Sequence, residues 1–421
     1  MNSREIAKER DRKDPLASFK ASFFHPENEI YLDGNSLGKL PLKTKEIING
    51  VIQDQWGNNL IRSWNDHWLD LPKRLAAKLS LLLNVNAKEV LVGESTSVNL
   101  YKVALALIQS GQYPKQFLTD SLNFPTDNYI LDGISSENAL AKPICIKYTS
   151  DLKANLSLLK ETISNNPGVI CLSLVSYKSA YYYPIKALNL HAKENNSVII
   201  WDLSHAVGAV EIDLKETESL VAIGCTYKYL NGGPGSPAFI YLDEELSPKL
   251  SSPIQGWFGH IKPFNFSQDY LPAQGIEKFD AGTPTILSIA AMEEGINISL
   301  SAGIKEIRAK SVALSSTFIE GFKSELAPLG YVLESPEKEE ERGSHVTISH
   351  PESWRICQCL LKGKDGRPKI IPDFRPQHFI RFGIAPLYVG FEDMWITINR
   401  LKEIVLDKEY EDYSETRPTV T

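Results

Sequence analysis

The segments EVLVGES (89–95), QFLTDS (116–121), VICLSLVSY (169–177), SVIIWDLS (197–204), VAIGCTYKY (221–229) and PAFIYL (237–242) read as strands, and most are nearly unbroken apolar runs. A strand with water on one face alternates apolar and polar residues, so unbroken runs need cover on both faces. Helical patterns lie between them, such as TSVNLYKVALALIQSG (96–111), DLKANLSLLKETISNN (151–166) and PIKALNLHAKENN (184–196). Strands of this kind alternating with helices predict an α/β fold with a mostly parallel sheet between helical layers. The large domain is placed at residues 45–290. A long helical tract, ILSIAAMEEGINISLSAGIKEIRAKSVALSSTFIEGFKSELAPLG (286–330), leads into a smaller α/β unit containing SHVTISH, HFIRFGIAP and EDMWITINRLKEIV, over residues 291–421. The last ten residues are polar and are expected to fray.

Composition excludes several classes of function. A formal charge of −7 argues against a protein that binds nucleic acid or an anionic membrane through a basic face. No run approaches the length of apolar residues that a bilayer requires, and the charged start MNSREIAKERDRKDPLASF lacks the apolar stretch of a secretory signal. The cysteines 145, 171, 225, 357 and 359 are odd in number and form no C-x-x-C pair. That favours reduced buried thiols in a cytoplasmic protein over disulfides or a metal site. EKEEER (337–342) reads as a solvated loop.

Ligands of a parallel sheet bind beyond the carboxyl ends of its strands. Asp202, His205, Tyr227 and Lys228 all fall at such ends. Pyridoxal 5′-phosphate (PLP) uses such a set, a lysine for its aldehyde and a carboxylate for its ring nitrogen. An Asp that caps a turn and a Lys that reaches solvent would read the same way. Thr96 and Ser97 open a helix, where free amides favour an anion, although plain capping residues would look alike. NFPTDNY (123–129) puts Phe124 and Asp127 on a loop after a strand, to cover and orient a ring or to make a Pro-bearing turn. GGPGSP (232–237) follows the lysine and reads as a close-packed turn. A Rossmann dehydrogenase is excluded, because no G-x-G-x-x-G follows the first strand.

The ordered series YLDGNSLGKLP, SWNDHW, the Thr96-Ser97 segment, NFPTD, WDLSHAVGAVEIDL, TYKYLNGGPGSPAFIY, GWFGH, FDAGTPTILSIAA and IRFGIAPLY resembles the fold-type I PLP enzymes of the class V aminotransferase group. Within that group it resembles the kynureninase family in its bacterial form. The resemblance implies a seven-stranded sheet in the large domain, with residues 1–44 as an N-terminal arm and active-site loop packing with the small domain. It implies Lys228 as the Schiff-base lysine and Asp202 as the partner of the pyridine nitrogen. Phe124 would stack on the ring, with Asp127 and His205 around its edge. Thr96, Ser97 and Tyr227 would bind phosphate, and Tyr227 would also serve as proton donor. Trp257 and Thr283 would complete the phosphate site from the other subunit of a homodimer. Arg381 would grip the substrate α-carboxylate, a task suited to a planar fork. Asn35 and Trp64 would lie against the substrate, although an amphipathic helix surface explains Trp64 equally well.

The implied reaction is hydrolytic Cβ–Cγ cleavage of L-kynurenine, its 3-hydroxy form, or both, to anthranilate or 3-hydroxyanthranilate plus L-alanine, in tryptophan catabolism. One alternative is a kynureninase-like enzyme of secondary metabolism that takes a substituted kynurenine. Another is a cysteine desulfurase or selenocysteine lyase, but those place a His directly before the Lys and need a Cys on a mobile loop. A non-catalytic member would have lost Lys228, Asp202 or Arg381, and all three are present.

Overall fold

The computed structural model describes residues 4–148, 152–363 and 366–416; of the polar last ten, 417–421 lie outside it. A seven-stranded sheet forms the centre of the large unit. Its order is Val90–Val92, Phe239–Leu242, Val221–Gly224, Val198–Asp202, Val169–Ser173, Phe117–Asp120, Ile144–Ile146. Neighbours from Val221–Gly224 through to Ile144–Ile146 pair in parallel. Phe239–Leu242 runs antiparallel to both of its neighbours.

The apolar runs follow from burial on both faces. Val169 and Cys171, with Val198 and Ile200, face one core, which they share with Leu100, Val103 and Leu107 of the helix Thr96–Gln109. Ile170 and Leu172, with Ile199 and Trp201, face the other core, beside Leu75 and Leu79 of the helix Leu71–Leu83. Successive side chains point to opposite faces, so each strand supplies both cores at once. The edge strand Ile144–Ile146 escapes a reading based on apolar runs, because it is short and leaves Cys145 exposed.

The predicted helical tract is two helices, Ile286–Ala302 and Ile304–Gly321, parted at Gly303. Gly303 has φ +81°, a left-handed conformation that disfavours any residue with a Cβ. Beyond them lies an antiparallel four-stranded sheet in the order Asp373–Arg375, Phe379–Gly383, His345–Ser349, Val332–Leu333. Cys357 and Cys359 lie buried in the helix Ser353–Lys362. The core under this sheet joins Phe318, Phe382 and Ile398 to Ala7, Phe23 and Leu32 of the N-terminal segment. Glu29–Tyr31 pairs in parallel with Lys369–Ile371, and Asp33 bridges to Gly383.

The expected solvated loop at 337–342 needs correction at its end. Arg342 is buried and donates to the carbonyls of Pro336 and Glu337 and to the hydroxyls of Ser315 and Ser316. A guanidinium with that many acceptors organises the loop from within.

Candidate active site

Asp202 ends the strand Val198–Asp202, in register with Ser173 on one side and Ile223 on the other. It is buried, and its Oδ1 accepts from the backbone N–H of Ser204 at 2.9 Å and from the Ser204 hydroxyl at 2.6 Å. The turn that follows carries His205, also buried. Tyr227 and Lys228 leave the next strand, and Lys228 Nζ lies 2.9 Å from His205 Nε2. Burial, then the Lys228 charge, holds the His205 imidazole well below its ordinary pKa. It is therefore neutral and accepts from the lysine, and its Nδ1 has no partner.

Asp127 lies in the first turn of the helix Pro125–Glu137, with Phe124 as N-cap and Pro125 at the first helical position. The expected loop is thus a helix start, which fixed-φ proline favours. Asp127 is buried with Oδ2 unpartnered. Burial raises its pKa well above the carboxylate range and the Asp202 charge adds to this, while Lys228 opposes both. Phe124 stays partly exposed and meets the ring of Tyr177 edge-on at 5.3 Å. Buried asparagine Asn35 has neither amide atom hydrogen-bonded.

These groups surround a cavity of about 200 Å³ whose walls include Asn35, Thr96, Ser97, Phe124, Asp127, Asp202, His205, Tyr227, Lys228 and Arg381. A second cavity of about 470 Å³ shares Thr96, Ser97 and Tyr227 with the first and adds Thr283. Thr96 and Ser97 begin the helix Thr96–Gln109, capped by Ser95, so free backbone amides lie where the two cavities meet. Trp257 and Trp64 line neither cavity. Trp64 packs on Trp68 and Phe258, and Trp257 sits among Phe258, Phe264 and Phe266.

Arg381 is buried behind the smaller cavity. Its Nε lies 2.5 Å from Asp373 Oδ2, its Nη2 reaches the same oxygen, and its Nη1 donates to the carbonyl of Tyr177. The sequence reading missed Ser36, Tyr177, Asp373 and Arg375. Asp373 and Arg381 are directly opposed in the antiparallel register, and Arg375 is two residues from Asp373. The D-x-R spacing opposite an inward arginine was the available signal, since residues two apart share a strand face.

A loop across the chain closes this region. The N–H of Gly38 donates to the carbonyl of Tyr227 at 2.8 Å, and Asn35 and Ser36 of the same loop form cavity wall. Gly38 has to be glycine, because a Cβ there would stand 2.4 Å from the Lys228 carbonyl oxygen. A ligand filling the smaller cavity would meet a lysine amine, two buried carboxyls, a neutral imidazole and a helix amino end. That set suits a ring with a protonatable nitrogen and an anionic substituent. Among the described residues, no group of three or more His, Cys, Asp or Glu is placed to hold a metal ion.

The family described as "Kynureninase C-terminal domain" matches residues 307–401. The kynureninase of Pseudomonas fluorescens is 38% identical over 400 residues, covering 94% of each chain. The kynureninase of Burkholderia mallei (strain SAVP1) is 34% identical over 414 residues, covering 97% of each. Among solved structures, the apo cysteine desulfurase of Thermococcus onnurineus NA1 matches with TM-score 0.76 at 17% identity, covering 95% of this chain and 98% of that one. A cysteine desulfurase of Escherichia coli gives TM-score 0.77 at 15% identity, covering 95% and 99%. At such identities these two likenesses speak for the fold alone.

Proposed function

The chain belongs to the kynureninase family, and from that premise we propose which of its residues carry the family's reaction. The enzyme is a PLP-dependent hydrolase that cleaves L-kynurenine to anthranilate and L-alanine. The observation that carries the site assignment is the meeting of Lys228, Asp202, Asp127, His205 and Arg381 on one cavity.

The residues present fit PLP. The unpartnered Asp127 Oδ2 and His205 Nδ1 are buried polar atoms that a ligand would satisfy, and such orphans are rare in a finished core. Lys228 would hold the aldehyde carbon and Asp202 the ring nitrogen. Phe124 would lie on the ring, Asp127 and His205 at its edge, and Thr96, Ser97 and Tyr227 would hold the phosphate. When bound, PLP supplies an electron sink next to the substrate's α-carbon.

The chain's own groups then divide the work. Lys228 Nζ takes the proton from the substrate α-carbon as general base. Burial holds the Tyr227 phenol protonated far above neutral pH, so its hydroxyl is available to donate at Cβ or at the carbonyl. Arg381 binds the α-carboxylate. Asn35, with a free amide at the wall, contacts the remainder of the substrate. Cys225 lines the larger cavity, but it is buried and its thiol is pushed up by burial, unlike the mobile, reactive cysteine that a desulfurase needs.

The rest of the reading concerns the assembly. Trp257, Phe264, Phe266 and Leu271 leave apolar surface exposed on one arm, and Trp56 and Ile61 do so elsewhere. Contiguous exposed aromatics of this kind mark interfaces. We assign them to a homodimer in which Trp257 serves the partner's phosphate site; Thr283, assigned the same task by the family resemblance, also lines this chain's own larger cavity beside Thr96 and Ser97. Trp64 packs on Phe258 of that arm and, like Trp257, lines neither cavity of its own chain. The division at residues 44 and 290 is supported by the core that joins Ala7, Phe23 and Leu32 to Phe318 and Ile398. A cytoplasmic location is supported by five free cysteines, and no helix among the described residues is long and apolar enough to cross a membrane.

The decisive assay supplies purified protein with PLP and kynurenine. Release of anthranilate is expected. Release from neither kynurenine nor its 3-hydroxy form overturns the reading.

A further inference from the structure

The carboxylate seat is incomplete if Arg381 acts alone. A guanidinium carries five N–H donors in a planar fork. In Arg381, Nε and Nη2 face Asp373 Oδ2, Nη1 donates to the Tyr177 carbonyl, and Nη2 also donates to Ser36 Oγ at 3.2 Å. About one N–H remains, too few for the two parallel bonds by which an arginine grips a carboxylate. Its positive charge is also offset by the Asp373 carboxylate in direct contact.

Arg375 is in the opposite condition. Its Nε lies 2.8 Å from the same Asp373 Oδ2, while Nη1 and Nη2 have no partner among the described residues. It lines the same cavity as Arg381 and Lys228, and its side chain is 32% exposed, so the free end can reach an entering anion. One carboxylate oxygen thus holds two guanidiniums, leaving one net positive charge in the group and a free pair of terminal nitrogens.

We propose that the substrate's α-carboxylate is seated by two arginines, with the terminal nitrogens of Arg375 as the fork, the spare N–H of Arg381 as the inner contact, and Asp373 as the positioning residue that holds both. This deepens the reading given above and rests on it for the identity of the substrate. The register supports the arrangement. Asp373 and Arg381 are cross-strand neighbours, and Arg375 follows Asp373 on the same face. Backbone pairing thus fixes where the two arginines leave the sheet, and their shared contact with Asp373 Oδ2 brings the guanidiniums together.

The test uses PLP-loaded enzyme titrated with L-alanine, the carboxylate-bearing product, and with ethylamine, which has the amine alone. Binding is read from the visible absorbance of the cofactor. Arg375→Met should weaken alanine binding roughly ten- to a hundredfold, the worth of a charge-assisted pair, and leave ethylamine binding as in the unaltered enzyme. Arg375→Lys, which keeps charge but loses the fork, should fall between. With kynurenine the loss should appear in KM more than in kcat, as for an interaction made equally in ground and transition states. Asp373→Asn should weaken alanine binding as well. Alanine affinity unchanged in Arg375→Met overturns the proposal. If Arg375→Met does not fold, unchanged affinity in Arg375→Lys overturns it instead. An enzyme that binds alanine in this pattern but cleaves no kynurenine overturns the activity and leaves the seat standing.

Discussion

Lys228 Nζ and His205 Nε2 stand 2.9 Å apart, and the imidazole is held neutral by its burial and by the lysine's own charge. The amine is thereby pointed into the cavity wall that Asp202 and Asp127 share. Lys228→Ala should reduce turnover by about 10²–10⁴-fold, the usual worth of a positioned proton-transfer group. Borohydride reduction and peptide mapping should find PLP fixed to Lys228 in the unaltered chain and nowhere in the variant. A label on another lysine refutes the assignment.

Asp33 gives the site a pH dependence. Burial, then the Asp373 charge, pushes its pKa up to about 7, against the pull of Arg381 and Arg375. Below that pH it is neutral. Above it, a second negative charge appears beside the arginines and competes with the substrate's carboxylate. KM for kynurenine should therefore rise as pH passes about 7, and Asp33→Asn should flatten the rise. For stability, the native chain keeps a proton that the unfolded chain releases between the ordinary value of 3.8 and about 7. Stability then falls as pH climbs through that window. Asp120 and Asp280, both pushed up to about 6 by burial, add to the same slope. Denaturant titrations at a series of pH values should show Asp33→Asn with the shallower decline.

Gly38→Ala tests the loop over the lysine. The added Cβ would stand 2.4 Å from the Lys228 carbonyl oxygen and 2.5 Å from Asn231 Oδ1. Relief requires the loop to move, at a cost of about 1–3 kcal/mol. A lower melting temperature and a raised KM are expected together, because Asn35 and Ser36 move with it. Wild-type values for both would mean that the loop is not held against Lys228.

Phe266 is 71% exposed and stacks on Trp257 with ring centroids 6.1 Å apart. In the proposed homodimer, Phe266→Asp should shift the protein toward monomer in sedimentation velocity and lower its affinity for PLP. An unaltered chain that sediments as a monomer removes the basis for a shared site.

The central sheet was legible because burial on both faces writes itself as apolar runs, in which Ile170 and Val169 serve different cores. Ile144–Ile146 was not, because an edge strand with one exposed cysteine carries no such pattern. Lys228 and Asp202 stood out because they fall at the carboxyl ends of apolar strands. Arg375 and Asp373 did not, since their meaning comes from a register across a hairpin that the order of residues does not state. Arg342 was misread for a related reason: its acceptors lie partly in Ser315 and Ser316, on a helix distant in sequence. Trp64, read beside the substrate, packs on Phe258 and lines neither cavity of its own chain, a placement set by contacts that the order of residues does not state.

Glu29–Tyr31 is paired with Lys369–Ile371, and Asp33 with Gly383, while the loop they anchor rests on Tyr227 through Gly38. On the ribosome, residue 228 emerges long before residue 383, so the nascent chain exposes its amine while residues 33–38 still lack their anchor. A chain cut short before Gly383 would keep Lys228 but lose the bridge that fixes Asp33 and, with it, the loop that rests on Tyr227.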